Sequence, residues 1–327
     1  MKHISILVPL GHSSMVNIEG SYQILSAVNG FFNKMEKPPL FNLQLVGLCK
    51  ETQQSTGQFT INPDVLVHEV SKTDLIIIPA MHGDQTEAAV RNAEFIPWII
   101  SQYKGGAEVV SFCIGAYFLA STGLLDGKQC ATHWLHAHDF RRMYPQVNLV
   151  DDKIMTEEEG IYTSGGAYSY LNLLLYLIEK HAGREIAILT SKTFMIDIDR
   201  ESQSPFIMFR GQKSHEDLAV KKAQDYIEHN YQDKITVDQL ASWLAVGRRS
   251  LERRFKKATC NTVTEYIQRV KIEAAKKSFE VSRKNINEVM YDVGYSDTKA
   301  FRTVFKKITN LSPIEYKNKY NKEAIMA

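Results

Sequence analysis

The hydrophobic pattern changes its period once along the chain. Before residue 200, short apolar runs alternate with stretches of helical spacing. His3–Leu10, Phe41–Cys49, Asp74–Pro79 and Glu108–Phe112 read as strands, and the unbroken Leu-Ile-Ile-Ile run within Asp74–Pro79 suits a strand buried on both faces. Asn17–Phe32, Glu87–Tyr103, Ile114–Ser121 and Ala167–His181 read as helices, with a break or kink expected at Pro97. Strands separated by helices imply a mainly parallel α/β sheet with helices on both faces. Around Arg200–His215 polar residues, Pro205 and Gly211 interrupt the pattern, which predicts a linker with a boundary near Gly211. Beyond it only helical periodicity remains, as in Ala219, Ala223, Tyr226, Ile227 and again in Val263, Tyr266, Ile267, Val270, Ala274. The expected architecture is an α/β domain over 1–210 and an all-α domain over 211–327.

The all-α part repeats itself at an offset of 50. Leu251, Phe255, Lys256, Lys257, Thr259, Glu265 and Tyr266 correspond to Phe301, Phe305, Lys306, Lys307, Thr309, Glu315 and Tyr316, and Thr262 to Ser312. Each copy reads as a helix-turn-helix. In the first, Thr236 caps a short helix, Ala245–Gly247 turns, and Arg248–Ala258 forms the second helix. In the second copy Ile286–Asp292 supports, Val293–Ser296 turns, Asp297 caps, and Thr298–Ile308 follows. Thr262–Phe279 reads as a long helix joining the copies. Leu251 and Phe255 face inward, which leaves Arg248, Arg249, Glu252, Arg253, Lys256 and Lys257 outside. Arginine suits guanine edges in a major groove, whereas lysine suits phosphates.

Charge sharpens this picture. The formal net charge is +2, yet residues 1–212 hold 16 Lys+Arg against 22 Asp+Glu, and residues 213–327 hold 23 against 15. The basic part predicts a polyanionic partner. Together, Ile235-Thr236-Val237, Leu240-Ala241, Leu251-x-Arg253-x-Phe255-Lys256-Lys257, Val293-Gly294-Tyr295, Ala300-Phe301, Phe305-Lys306-Lys307 and Leu311-Ser312-Pro313 resemble the DNA-binding domain of AraC/XylS-type regulators. The resemblance implies that both second helices enter successive major grooves. It assigns base contacts to Arg249, Glu252 and Arg253, and to Thr298, Lys299 and Arg302, with Lys306 on the same basic face. Thr303 stands where the second helix often carries Arg, and Cys260 and Asn310 stand where glycine commonly ends each helix.

In the acidic part, Val109–Ala116 places Cys113 where an apolar strand turns into a helix. A helix N-terminus beside the sulfur favours thiolate, so Cys113 is expected at the floor of a pocket, exposed and partly ionised. Glu19 and His133 complete a possible nucleophile site. Phe112-Cys113-Ile114-Gly115-Ala116, Gly123–Gly127, Ala131-Thr132-His133-Trp134 and Thr163–Gly166 resemble the DJ-1/PfpI domain. That resemblance implies a flavodoxin-like α/β sandwich and makes Glu19 the carboxylate partner of Cys113, sharing a proton with its sulfur. Ile114 stands where PfpI-type peptidases carry a His, Ala80–Gly83 replaces a more usual Pro-Gly-Gly, and Asn172 replaces an Asp common among GlxA-like regulators. His133, His136 and His138 fit no known zinc spacing, so no metal is assigned, and no cofactor is expected.

Four scattered cysteines suggest a reducing compartment, the N-terminus reads as a strand rather than a signal peptide, and no apolar run is long enough to span a bilayer. The sequence therefore predicts a cytoplasmic transcription regulator. Its expected partners are double-stranded operator DNA, a small-molecule effector and a second copy of itself, with no membrane. The alternative is a Cys113-dependent enzyme acting on a small carbonyl or amide, fused to a DNA-binding domain.

Overall fold

The computed structural model describes residues 1–54, 57–198 and 202–321. The chain divides into two compact units, Met1–Gln203 and Ser204–Ala327. The division falls ahead of the boundary expected near Gly211, because the intervening segment is bound to the helical unit. The Phe209 amide donates to Glu273 Oε2 at 3.0 Å, Lys276 Nζ donates to the Ile207 carbonyl, and the Tyr320 hydroxyl donates to the Pro205 carbonyl at 3.2 Å. Arg200 and Glu201 of the expected linker lie outside the described residues.

The first unit contains β1 (Lys2–Val8), α1 (Met15–Lys34), β2 (Phe41–Gly47), the hairpin β3 (Thr52–Gln54) and β4 (Phe59–Ile61), β5 (Val65–Leu66) and β6 (Leu75–Ile78). There follow α2 (Gln85–Arg91), α3 (Phe95–Lys104), β7 (Glu108–Ser111), α4 (Gly115–Ser121), β8 (Gln129–Cys130), α5 (Ala137–Met143) and β9 (Asn148–Leu149). β10 (Met155–Glu158), β11 (Ile161–Ser164), α6 (Tyr170–Ala182) and α7 (Arg184–Phe194) complete it. Seven strands form one sheet in the order β10-β11-β7-β6-β1-β2-β5, parallel throughout except for the antiparallel edge strand β10. Alternation sorts the side chains. Leu7, Ile76, Ile78 and Val109 pack with Phe95, Ile99, Leu119 and Phe140 on one face. Ile4, Ile6, Leu75, Ile77 and Val110 pack with Val28, Leu174 and Ile178 on the other. This is the flavodoxin-like three-layer fold expected. The helix break, however, comes at Asn92–Glu94, before Pro97. Proline is tolerated in the first turn of α3, where its missing N–H would have had no helical partner. Asn92 ends α2 instead, because its buried amide bonds the Leu10 N–H (2.7 Å) and the Leu10 carbonyl (3.0 Å).

The second unit is helical: α8 (Leu218–His229), α9 (Val237–Trp243), α10 (Arg248–Thr259), α11 (Val263–Val281), α12 (Ile286–Asp292), α13 (Thr298–Thr309) and α14 (Pro313–Tyr320). It has two cores that share α11. One gathers Val220, Ile227, Leu240, Leu251, Phe255, Tyr266 and Ile267. The other gathers Ile272, Phe279, Val289, Met290, Phe301, Phe305 and Tyr316. Along α8 the buried stripe is Val220, Ala223 and Ile227; Tyr226 instead lies outside, with its ring 5.0 Å from Trp243. Among the described residues no helix is long and apolar enough to cross a membrane.

Candidate DNA interface and strand-elbow site

The two helix-turn-helix motifs superpose in their chemistry as well as their sequence. Thr236 caps α9 by accepting from the Gln239 amide (3.2 Å), while Gln239 Oε1 accepts from the Thr236 amide (2.9 Å). Thr262 and Glu265 form the same reciprocal pair at the start of α11, and Ser312 and Glu315 repeat it at α14. Thr259 and Thr309 each donate back to the phenylalanine carbonyl four residues earlier, at 2.8 and 2.9 Å. Cys260 and Asn310, both at φ 58°, end α10 and α13 in the left-handed region. Asp297 caps α13 by accepting from the Ala300 amide at 2.6 Å.

Each second helix turns one face inward and its charges outward. Leu251 and Phe255 are buried on α10, as are Phe301 and Phe305 on α13. Arg248, Arg249, Arg253, Lys256 and Lys257 are exposed, with Glu252 half-buried; Lys299, Arg302 and Lys306 are exposed on α13, with Thr298 half-buried. Among the described residues Arg249, Arg253 and Arg302 have no hydrogen-bond or ion-pair partner within the chain, so their guanidinium groups remain available. Arg248 differs: it chelates Asp238 (2.9 and 3.2 Å) and reaches Glu252 at 3.3 Å, which ties the start of α10 to α9. Arg254 is also structural, gripping both oxygens of Asp217 at 2.7 and 2.6 Å. Thr303 is exposed and bonds back to the Lys299 carbonyl at 2.8 Å.

At the carboxyl edge of the sheet, Cys113 does sit on a strand-to-helix elbow. Its φ of 54° is the strained left-handed backbone such a turn demands of a non-glycine residue. Its amide donates to the Ser164 carbonyl (3.0 Å), and its carbonyl accepts from Thr132 Oγ1 (2.9 Å). Gly115 follows because a Cβ there would lie 2.5 Å from the Pro79 carbonyl oxygen, where α4 starts against the end of β6. The expected exposure is wrong. Cys113 is 5% exposed, and burial pushes its thiol up to about 11, opposed only by the Ile114 amide. Desolvation outweighs a helix terminus of seven residues, so the sulfur is a protonated thiol at neutral pH rather than a partial thiolate.

The expected Glu19 partnership also fails. Glu19 is exposed on α1 and makes no hydrogen bond to Cys113, so no proton is shared. On that helix Asn17 is buried instead, and its Oδ1 accepts from the Ala80 amide at 3.1 Å, beside the end of β6. Asn172 donates to the Asp197 carbonyl at 2.6 Å. His133 is half-buried, with Nδ1 accepting from the Leu135 amide at 3.1 Å.

A feature absent from the expectation is a group of imidazoles at this edge. His12 and His82 lie in the loops after β1 and β6, with ring centroids 5.0 Å apart. His133 and His136 lie 6.0 Å apart after β8. Burial lowers the pKa of His82, His133 and His136; repulsion from His12 and His136 adds to it at His82 and from His136 at His133, whereas Asp139 opposes it at His136. The loops after β1 and β6 flank the point where strand order reverses about β1, the usual ligand crevice of such sheets, and the loop after β8 is tied to the elbow through Thr132. Among the described residues no three His, Cys, Asp or Glu side chains are arranged to hold a metal ion. Sequence spacing could not reveal the group, since its members come from loops about seventy and fifty residues apart that meet only in the folded unit.

Residues 15–180 match the DJ-1/PfpI family, and residues 240–319 match a helix-turn-helix domain. The chain is 22% identical over 282 residues to the HTH-type transcriptional regulator GbdR of Pseudomonas aeruginosa, covering 86% of this chain and 76% of that protein. It is 24% identical over 213 residues to the HTH-type transcriptional regulator GlxA of Rhizobium meliloti, 64% of each chain. The crystal structure of an AraC family transcriptional regulator from Pseudomonas putida shares the α/β fold, with a TM-score of 0.51 and 16% identity over 59% of this chain and 100% of that one. With the first family spanning half of its length, ahead of two basic helix-turn-helix motifs, the chain belongs to the DJ-1/PfpI family, in the form joined to an AraC-type DNA-binding domain.

Proposed function

We propose that this DNA-binding transcription regulator reads its operator through both basic helices and uses its α/β unit to sense a small molecule and to pair with a second copy. The observation that carries the reading is the matched pair α10 and α13, each packed through two buried apolar residues and each presenting arginine with no partner of its own. Arg249, Glu252 and Arg253 contact bases from the first helix, and Thr298, Lys299 and Arg302 from the second. Lys256, Lys257 and Lys306 hold phosphates, and Arg248 joins them while bracing α9 against α10.

In this reading the α/β unit is not a catalyst. A nucleophilic thiol needs a base within hydrogen-bond reach or a depressed pKa, and Cys113 has neither. The effector instead meets the crevice lined by the elbow and the four imidazoles. The experiment is a gel-shift titration of the full chain on DNA selected from a genomic pool, with a turnover assay on methylglyoxal and on small amides beside it. Selective binding without Cys113-dependent turnover supports the regulator. Turnover lost in Cys113→Ser, with no preference among DNA fragments, would establish the enzyme instead.

A further inference from the structure

The seam between the two helix-turn-helix motifs turns on one buried ammonium. Lys271 lies on α11 between Ile267, in the first core, and Ile272, in the second. It is 7% exposed. Its three donors are used on three carbonyls: Asp233 (3.2 Å), Val293 (3.0 Å) and Gly294 (3.3 Å). Asp233 belongs to the segment that enters the first motif, whereas Val293 and Gly294 form the turn of the second. The ammonium also lies 5.5 Å from the centre of the Tyr295 ring. Gly294 makes the approach possible. Its φ is +74°, and a Cβ there would stand 2.1 Å from the Gln232 carbonyl oxygen and 2.6 Å from Lys271 Nζ. Thus the backbone entering one motif touches the backbone turning in the other, and a side chain of the shared helix holds both.

We infer that Lys271, with Gly294, is the positioning residue that sets the separation of the two reading helices, and so the spacing of half-sites this chain accepts. The inference rests on the assignment of α10 and α13 as DNA readers. Two helices that enter successive major grooves must keep to the helical repeat of DNA, about 34 Å. A chain with a loose seam could follow altered spacing by bending; a chain with a fixed seam loses one helix's contacts. An ammonium shared among three carbonyls makes the seam stiff without a large apolar interface, because removing it leaves the buried Val293 carbonyl unpaired. Lys271 touches no base in this account, so it acts on spacing and not on sequence.

The test uses the full chain and DNA selected from a random pool, whose two half-sites are located by footprinting. One base pair is then inserted or removed between them. Wild type should lose about tenfold or more in affinity on the altered spacing. Lys271→Met should shrink that penalty to about threefold or less, while scrambling either half-site still costs as much as in wild type. Gly294→Ala, which pushes the two backbones apart from the other side, should relax the spacing as well, and Lys271→Arg should retain it. If Lys271→Met is not folded by circular dichroism, Lys271→Gln is read by the same criterion. A folded variant that keeps the full spacing penalty overturns the inference, as does a wild type indifferent to spacing. A wild type that does not distinguish selected from scrambled DNA overturns the underlying DNA-reading assignment instead.

Discussion

Arg253 is exposed on α10, opposite Leu251 and Phe255, with no partner in the chain, and is the residue expected to make the largest single base contact. Arg253→Ala should cost ~1–3 kcal/mol on specific DNA and relax the preference at one base pair, read as the ratio of Kd on operator and scrambled DNA. That face was legible in the sequence, because Leu-x3-Phe at helical spacing fixes which residues point away from the core. The state of Cys113 was not. The apolar strand running into Ile114–Ala116 disclosed the elbow, but burial of the sulfur depends on side chains brought over it from distant segments. Its thiol, pushed up to about 11, should therefore alkylate far more slowly at pH 7.5 than that of exposed Cys260, which peptide mass spectrometry resolves. Faster labelling of Cys113 would contradict the burial account. The Glu19 assignment failed for a related reason: along α1 the position turned toward the end of β6 is Asn17, two residues earlier, and two residues change the face of a helix by half a turn. The histidines carry a pH dependence with a definite sign. His82, His133 and His136 have folded pKa values below the ordinary 6.5, so the unfolded chain binds protons first as pH falls. Their contribution to stability is full above about 6.5 and is lost as pH drops through the lowered folded values. Thermal melts of the α/β unit between pH 7.5 and 5 should show a falling Tm, with a flatter slope in His82→Gln and His133→Gln; an unchanged slope would remove the imidazoles from the account.

At the scale of elements, the repeat makes its own controls. The turn of the first motif has Ala245 at φ 53°, with its amide donating to the Ser242 carbonyl and the Val246 amide to that of Ala241. The second turn has Gly294 in the matching place, with bonds from Gly294 to Tyr291 and from Tyr295 to Met290. Alanine in the left-handed region costs roughly 1–2 kcal/mol, partly offset by the greater freedom of an unfolded glycine. Ala245→Gly should therefore leave stability unchanged or raise it by up to ~1 kcal/mol in urea denaturation. Gly294→Ala should lower it by more than that gain, because a second backbone occupies the space. Equal effects at the two turns would show that the close approach to Gln232 is not made in solution. The helices of the two motifs and the long helix between them were readable to within a few residues because caps and breakers mark their ends, as Thr236, Thr262 and Asp297 do; Pro313–Tyr320, capped by Ser312, was not read as a helix. In the α/β unit the long apolar strands were readable too. The hairpin β3–β4 and the pair β8–β9 were not, since strands of two or three residues have no period to detect.

For the whole molecule, the acidic and basic parts separated by charge are also separate compact units, but the helical unit begins at Ser204 rather than near Gly211. Phe209 stacks edge-on against Tyr266 with centroids 5.0 Å apart, and its amide is held by Glu273. A fragment starting at Ser204 should be more stable than one starting at Lys213 by ~1–3 kcal/mol in denaturant, and the two being equal would count against the packing of that segment. We propose that both basic helices read one DNA site. The most direct measurement is a binding profile of the full chain against every single-base variant of a selected operator, repeated for Arg253→Ala and for Arg302→Ala. The expected profile has two preferred stretches about one helical turn apart, the first losing its preference in Arg253→Ala and the second in Arg302→Ala, with the other stretch unchanged in each case. Two variants that weaken binding equally at every position, on operator and scrambled DNA alike, would reduce both helices to phosphate contacts and contradict the claim.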